Sequence, residues 1–357
     1  MNTTYSLELI GSGDGDRWQG WLDRAPHDFY HTAAYHRFAE QCGEGQALLA
    51  VYGDRSRYLA WPYLLREIPQ HQAPPLRDVA SVYGYAGPVA AGWDPADPFF
   101  ERARLAIADL WRSQRAVSAF TRFHPLLENH RFAGDCAGGT APAGQTVSID
   151  LTLEPAELRR QYQPSLRNRI HRGRRLGLET VVDESWSCLE DFVRFYRATM
   201  ARHGAAPYYW FSLDDFRRLR ECLGRHAFLL VTRLREQAVA AAAILVEYRG
   251  MVANHFTMNN DGYLDLAPSK VLLDDAVVWA RERGNRVFHL GGGRGAAADS
   301  LFAFKAAFSR RRHPFHIGRA ILDWARYTKL CERLPQAVSG YFPAYRAAAA
   351  APAGPPA

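Results

Sequence analysis

The chain has 357 residues, 48% apolar and 23% charged, with a formal net charge of +7. That is material for about two packed domains, and the positive balance suits anionic partners such as nucleic acid or nucleotide-linked substrates as well as plain solubility. Five cysteines at 42, 136, 188, 222 and 331 form no CxxC pair or Cys/His ligand spacing, which argues against a zinc site and a disulfide framework.

The first 18 residues hold no basic start followed by an apolar stretch, so no secretory signal is expected. No run reaches the roughly 18 apolar residues of a membrane helix, and a reducing cytoplasm is the expected location. From Ala47, "ALLAVYGDRSRYLAWPYLL" predicts two strands around a polar turn, a β-hairpin. "SVYGYAGP" is a glycine-rich loop whose Tyr83 and Tyr85 either pack in the core or line a groove and stack on a sugar or base. "LWRSQRAVSAF" is a helix end followed by a strand, and His124 in "RFHP" reads as a packed histidine. "DCAGGTAPAGQT", residues 135–146, is small and polar; it reads as a linker dividing the chain near residue 145.

Beyond it, "RRQYQPSLRNRIHRGRRLG" carries seven arginines. Pro164 suits the first turn of a helix and Gly177 its end. Leu166, Ile170 and His171 would face inward. Arg167, Arg169, Arg172, Arg174 and Arg175 flank them, as a solvated face or as a grip on phosphates. "PYYWF" adds an aromatic cluster containing Tyr209. "AFLLVTRLREQAVAAAAIL" then repeats the first hairpin at a constant offset of 180, and "VWARERGNRVF" repeats the first helix–strand step at an offset of 168. Both halves thus run helix, hairpin, loop, helix, strand, which points to duplication of an α+β unit.

The later half ends in "FHLGGGRGAAADSLFAFKAAFSRRRHPF". A strand enters Gly291-Gly292-Gly293-Arg294, where glycines allow positive φ and close approach to a ligand. Asp299 or Ser300 can cap the helix that follows. Neither a Walker A pattern nor a Rossmann unit is present. Lys305 shares a helical face with Leu301, Phe304 and Phe308, so it either snorkels to the surface or is held in a cleft. A held ammonium can neutralise a tetrahedral oxyanion or bind phosphate. Arg310 and Arg311 add positive charge just beyond. His255 in "NHF" reads as packed or as part of the substrate site.

These segments together resemble the FemABX-like aminoacyltransferases of the GNAT superfamily. The resemblance rests on "APSKVLLDDAVVWARERG", "HLGGG…DSLFAFKAAFS", "SVYGYAGP", "RFHPLLEN" and "SLRNRIHRGRRLG", and covers most of residues 25–325. It implies an α+β fold of two tandem GNAT-like domains with a cleft between them and, since no charged heptad arm occurs here, no coiled-coil insertion. The expected division is 1–145 for the first domain, 146–346 for the catalytic one and 347–357 for a disordered tail. The family's chemistry joins an amino acid from aminoacyl-tRNA to an amine on a peptide, a peptidoglycan precursor or a small natural product. Phe304 would place the end of the donor and Lys305 would stabilise the oxyanion. Gly291, Gly292, Gly293, Arg294, Asp299, Ser300, His255, Tyr83, Tyr85 and Tyr209 would contact substrate. The arginines 167, 169, 172, 174, 175, 310 and 311 would meet tRNA or phosphate. No metal or redox cofactor is implied. Acyl-CoA or an acyl carrier protein is the alternative donor, although the loop "MNNDGYLDLAPSK" lacks the [QR]xxGx[GA] pattern of CoA-binding relatives. A noncatalytic RNA- or nucleotide-binding module is the third reading.

Overall fold

The computed structural model describes residues 5–69, 74–134, 138–235, 238–332 and 340–350. It divides the described chain into two compact units, one within 5–143 together with 315–350, the other within 144–314. The expected division at 145 therefore misses the return of 315–346 to the first unit.

In the first unit, strand β1 (Ser6–Gly11) and helices α1 (Gly15–Leu22) and α2 (Ala33–Gln41) precede the hairpin of β2 (Gln46–Gly53) and β3 (Tyr58–Glu67). Strands β4 (Arg77–Ala80) and β5 (Val89–Ala91) lead to helix α3 (Pro98–Ser113) and strand β6 (Ala116–Arg122). Asp97 caps α3, accepting the Phe99 N–H at 2.9 Å, and Pro98 fills its first turn. Phe99, Phe100, Ile107 and Trp111 on its inner face are buried beneath the sheet. β4 and β6 run parallel because α3 carries the chain back to the same end.

The second unit repeats this plan. Strand β7 (Thr140–Asp150) opens it, so residues 140–146 of the expected linker are strand, and 135–137 lie outside the described residues. Helices α4 (Pro155–Arg160) and α5 (Pro164–Arg175), strand β8 (Leu178–Val182) and helices α6 (Leu189–Arg202) and α7 (Leu213–Leu223) follow. The hairpin of β9 (Ala227–Leu234) and β10 (Ala238–Tyr248) then pairs with β11 (Met251–Asn259). Helix α8 (Pro268–Glu282) crosses to β12 (Val287–Gly292), which is parallel to β11 and antiparallel to β7. Leu272, Leu273, Ala276 and Val277 of α8 are buried against Val252 and Phe288. Helix α9 (Ser300–Ala306) ends the unit, and strand β13 (Arg312–Ile321), paired to β6 from Ile317, leads to α10 (Trp324–Cys331) in the first unit.

The tail is helical at its start, since Ala344–Ala350 form a 3-10 helix, and 351–357 lie outside the described residues. Among the described residues no helix is long and apolar enough to cross a membrane.

Candidate functional site

The second unit builds its glycine turn from a fault in strand pairing. The register of β12 against β7 slips between His289 and Gly291, so an extra residue bends the strand. Gly291 then takes φ +76, a region that costs side-chain-bearing residues energy. At Gly293 the constraint is space: a Cβ would stand 2.0 Å from the Ala297 carbonyl oxygen and 2.4 Å from Asp299 Oδ1.

Asp299, not Ser300, caps α9, accepting the Phe302 N–H at 2.9 Å; Ser300 is the first helical residue. Asp299 also pairs with Arg294 at 2.8 Å. Burial works to raise the Asp299 pKa, but the Phe302 amide and Arg294 outweigh it, and the carboxyl sits below its ordinary value. Arg294 Nη1 lies 2.9 Å from His203 Nδ1 at the end of α6.

Lys305 lies one turn into this helix and does not snorkel. Its ammonium donates to the Gly292 carbonyl oxygen at 2.6 Å. Burial lowers its pKa to about 8, against the opposing field of Asp299, so the group remains mostly charged at neutral pH. An ammonium has three N–H donors; with one on Gly292, two are left for a ligand oxygen. Of the expected stripe, Phe308 is fully buried and Phe304 partly so, but Leu301 is 37% exposed. Phe304 meets Phe308 edge-on with centroids 5.6 Å apart. Lys270 Nζ lies over the Phe304 ring, 5.3 Å from its centroid. Lys270 is absent from the residues expected from sequence, although the chain contains only three lysines, at 270, 305 and 329, among its 44 basic side chains. That scarcity was a readable signal.

Other expected residues lie on neighbouring elements. His255 is buried on β11 against Phe256, and burial lowers its pKa to about 3, so its ring is a neutral packed group. Tyr209 follows α6; its carbonyl accepts the Tyr196 hydroxyl and its ring meets Tyr208 edge-on. Arg174 is tied to α8 through Asp274 at 2.7 Å and through Asp275, so it clamps two helices rather than offering a free charge. Arg311 pairs with Asp150 at 2.7 Å. Arg167 is half-buried; Arg169, Arg172, Arg175 and Arg310 are exposed, and so is His171, which the helix turns outward.

Tyr83 and Tyr85 belong to the first unit. The Tyr83 carbonyl accepts the Tyr35 hydroxyl at 2.9 Å, and Tyr85 packs edge-on against Tyr30 and Phe315. Their loop is held by a buried polar network that the sequence reading did not foresee. Asn129 donates to the Ala86 and Pro88 carbonyls at 2.7 and 2.9 Å and accepts the His124 amide at 2.7 Å. His124 Nδ1 accepts the Leu127 amide at 3.2 Å, which puts the ring proton on Nε2, 3.0 Å from Asp28 Oδ2.

Comparison with known proteins supports the same assignment. Residues 159–306 match the acetyltransferase (GNAT) domain. The chain is 25% identical over 271 residues to the UDP-N-acetylmuramoylpentapeptide-lysine N(6)-alanyltransferase of Weissella viridescens, covering 71% of this chain and 79% of that one. The crystal structure of FemX shares the fold with a TM-score of 0.67 at 12% identity, over 91% of this chain and 99% of that one. L-PGS from Bacillus licheniformis shares it with a TM-score of 0.52 at 13% identity, over 86% and 92%. A GNAT domain over residues 159–306 and an enzyme relative aligned across most of both chains mark this protein as an acyltransferase, similar over most of its length to the Fem-type enzymes.

Proposed function

We propose that the protein forms an amide bond by moving an amino acid from aminoacyl-tRNA to an amine on a peptide, with Lys305 stabilising the tetrahedral oxyanion. The observation that carries this reading is the enclosed Lys305 ammonium, fixed by Gly292 at the mouth of the glycine turn. An aminoacyl ester is already activated, so the enzyme needs chiefly to orient the amine and meet the charge that develops on the carbonyl oxygen. The name of the Weissella relative, an alanyltransferase acting on the lysine of a muramoylpentapeptide, makes a peptidoglycan-precursor amine the first acceptor to try. Phe304, next to Lys305 in α9, would hold the end of the donor.

The matched acetyltransferase domain keeps acyl-CoA as a second donor. The start of α8 weighs against it. Pro268 has no N–H, the Ser269 amide is taken by Asn259 Oδ1 at 3.2 Å, and the Lys270 amide by the Ala267 carbonyl at 3.0 Å. The backbone donors that would cradle a pyrophosphate there are already engaged.

The donor is tested by exposing immobilised protein to a mixed pool of charged tRNAs, acyl-CoAs and acyl carrier proteins, and identifying by mass spectrometry what is retained. Enrichment of one charged tRNA is expected; retention of a thioester without any charged tRNA overturns the donor. The rate should also depend on Lys305 protonation. Since the folded pKa is about 8 and the ammonium is the active form, kcat/KM should fall as pH rises through about 8. A pH profile for wild type and for the residual activity of Lys305→Met checks this, the descending limb being expected only in wild type.

A further inference from the structure

We infer that Lys270 and Arg169 form a phosphate-binding subsite beside Phe304, which rests on the donor reading above and extends it to the group that anchors the donor. Helices α5 and α8 abut closely: a Cβ on Gly173 would come within 2.8 Å of Val271 Cγ2. Along this contact the charges fall into two layers. In one layer Asp274, 1% exposed, takes both Arg174 at 2.7 Å and Arg159 at 3.2 Å. One helical turn nearer the start of α8 stands Lys270, within the field of Arg169 on α5.

This second layer has no acid. Among the described residues no carboxylate pairs with Lys270 or Arg169, and the field of Arg169 adds to burial in lowering the Lys270 pKa. A half-buried ammonium beside another cation is unfavourable unless something answers it. The Phe304 ring at 5.3 Å answers part of it. An anion between the two cations would answer the rest.

Residue type is a separate argument. The chain places arginine at nearly every basic position and lysine at only three, and two of those lysines flank Phe304. An ammonium is a compact point charge that binds phosphate without demanding bidentate geometry. The phosphate can come from the terminal nucleotides of a tRNA or from coenzyme A. Both would lie close to Phe304 and hence to Lys305.

The test measures binding of deacylated tRNA and of coenzyme A to wild type, Lys270→Met, Arg169→Gln and Lys329→Met across a salt series. Each of the first two substitutions should weaken tRNA binding and reduce the slope of log affinity against log salt by about 1, the value for one lost phosphate contact. Lys329 is exposed on α10, and its replacement should leave the slope unchanged. Arg169 is exposed, so Arg169→Gln keeps the test valid should Lys270→Met fold poorly. If coenzyme A binding depends on Lys270 and tRNA binding does not, the subsite stands and the tRNA donor falls. If neither ligand binds, or neither depends on Lys270 or Arg169, the subsite is wrong; tRNA binding that persists in the variants leaves the donor reading intact.

Discussion

Lys305→Met should lower turnover by about 100-fold or more, the usual cost of losing one oxyanion donor, while donor affinity changes little. The substitution keeps most of the length and apolar volume of the side chain and removes the charge together with its hydrogen bond to the Gly292 carbonyl. The relief of the buried charge should offset the roughly 1 kcal/mol of that hydrogen bond. The folded pKa of about 8 lies below the ordinary lysine value of 10.5, so the folded state holds this proton less tightly than the unfolded chain. That is a penalty on folding at all pH below about 8, relieved as pH rises from about 8 to 10.5. The stability of Lys305→Met at pH 7 should therefore match or exceed that of wild type. Single-turnover kinetics and a denaturation curve on the same preparation decide the matter. A fall in rate accompanied by a matching loss of stability would make Lys305 a packing residue, and unchanged turnover would remove it from the mechanism.

Asp28→Ala should destabilise the first unit by about 3 kcal/mol, because two buried donors lose their acceptor at roughly 1–3 kcal/mol each. Asp28 is 3% exposed and accepts the Phe29 amide at 2.7 Å and His124 Nε2 at 3.0 Å. His124 is fully buried, so water cannot replace the carboxylate. Asp28→Asn keeps an acceptor for one of the two donors but turns an amide NH2 toward the other, so it should cost less than Asp28→Ala only by the one hydrogen bond it retains. Equilibrium denaturation followed by tryptophan fluorescence reports on this unit through Trp18, Trp61 and Trp111, all fully buried. Equal effects of the two substitutions would show that the network needs both carboxylate oxygens. The consequence reaches the tyrosine loop, because Asn129 links His124 to the Ala86 and Pro88 carbonyls.

How much of this was legible in the sequence follows from which interactions are local. The two hairpins and the two helix–strand steps were readable because alternation, turn residues and caps act over a few positions; Pro268 and Asp299 begin or cap helices as their residue types predict. The glycine turn and its lysine were readable for the same reason. Lys305 stands 13 residues from Gly292, inside one strand–turn–helix segment.

Interactions between distant segments were not readable. Periodicity separates Arg174 from Arg169 on α5 by about 140°, but only the packing of α8 shows that the first meets Asp274 while no carboxylate pairs with the second among the described residues. Arg311 looked like free charge until Asp150, far back in the chain, was brought against it. The linker reading failed because small polar residues suit a loop, yet backbone pairing needs no side-chain preference once a partner strand is supplied. The return of 315–350 to the first unit is likewise a matter of strand partners, as β13 finds β6 across nearly 200 residues. Sequence by itself therefore determined the repeated α+β plan, the glycine turn and the unusual lysine, all governed by local backbone geometry and periodicity. Tertiary structure alone decided which cations are neutralised and which histidines are buried, because charge and solvation energies depend on neighbours that the chain order does not name.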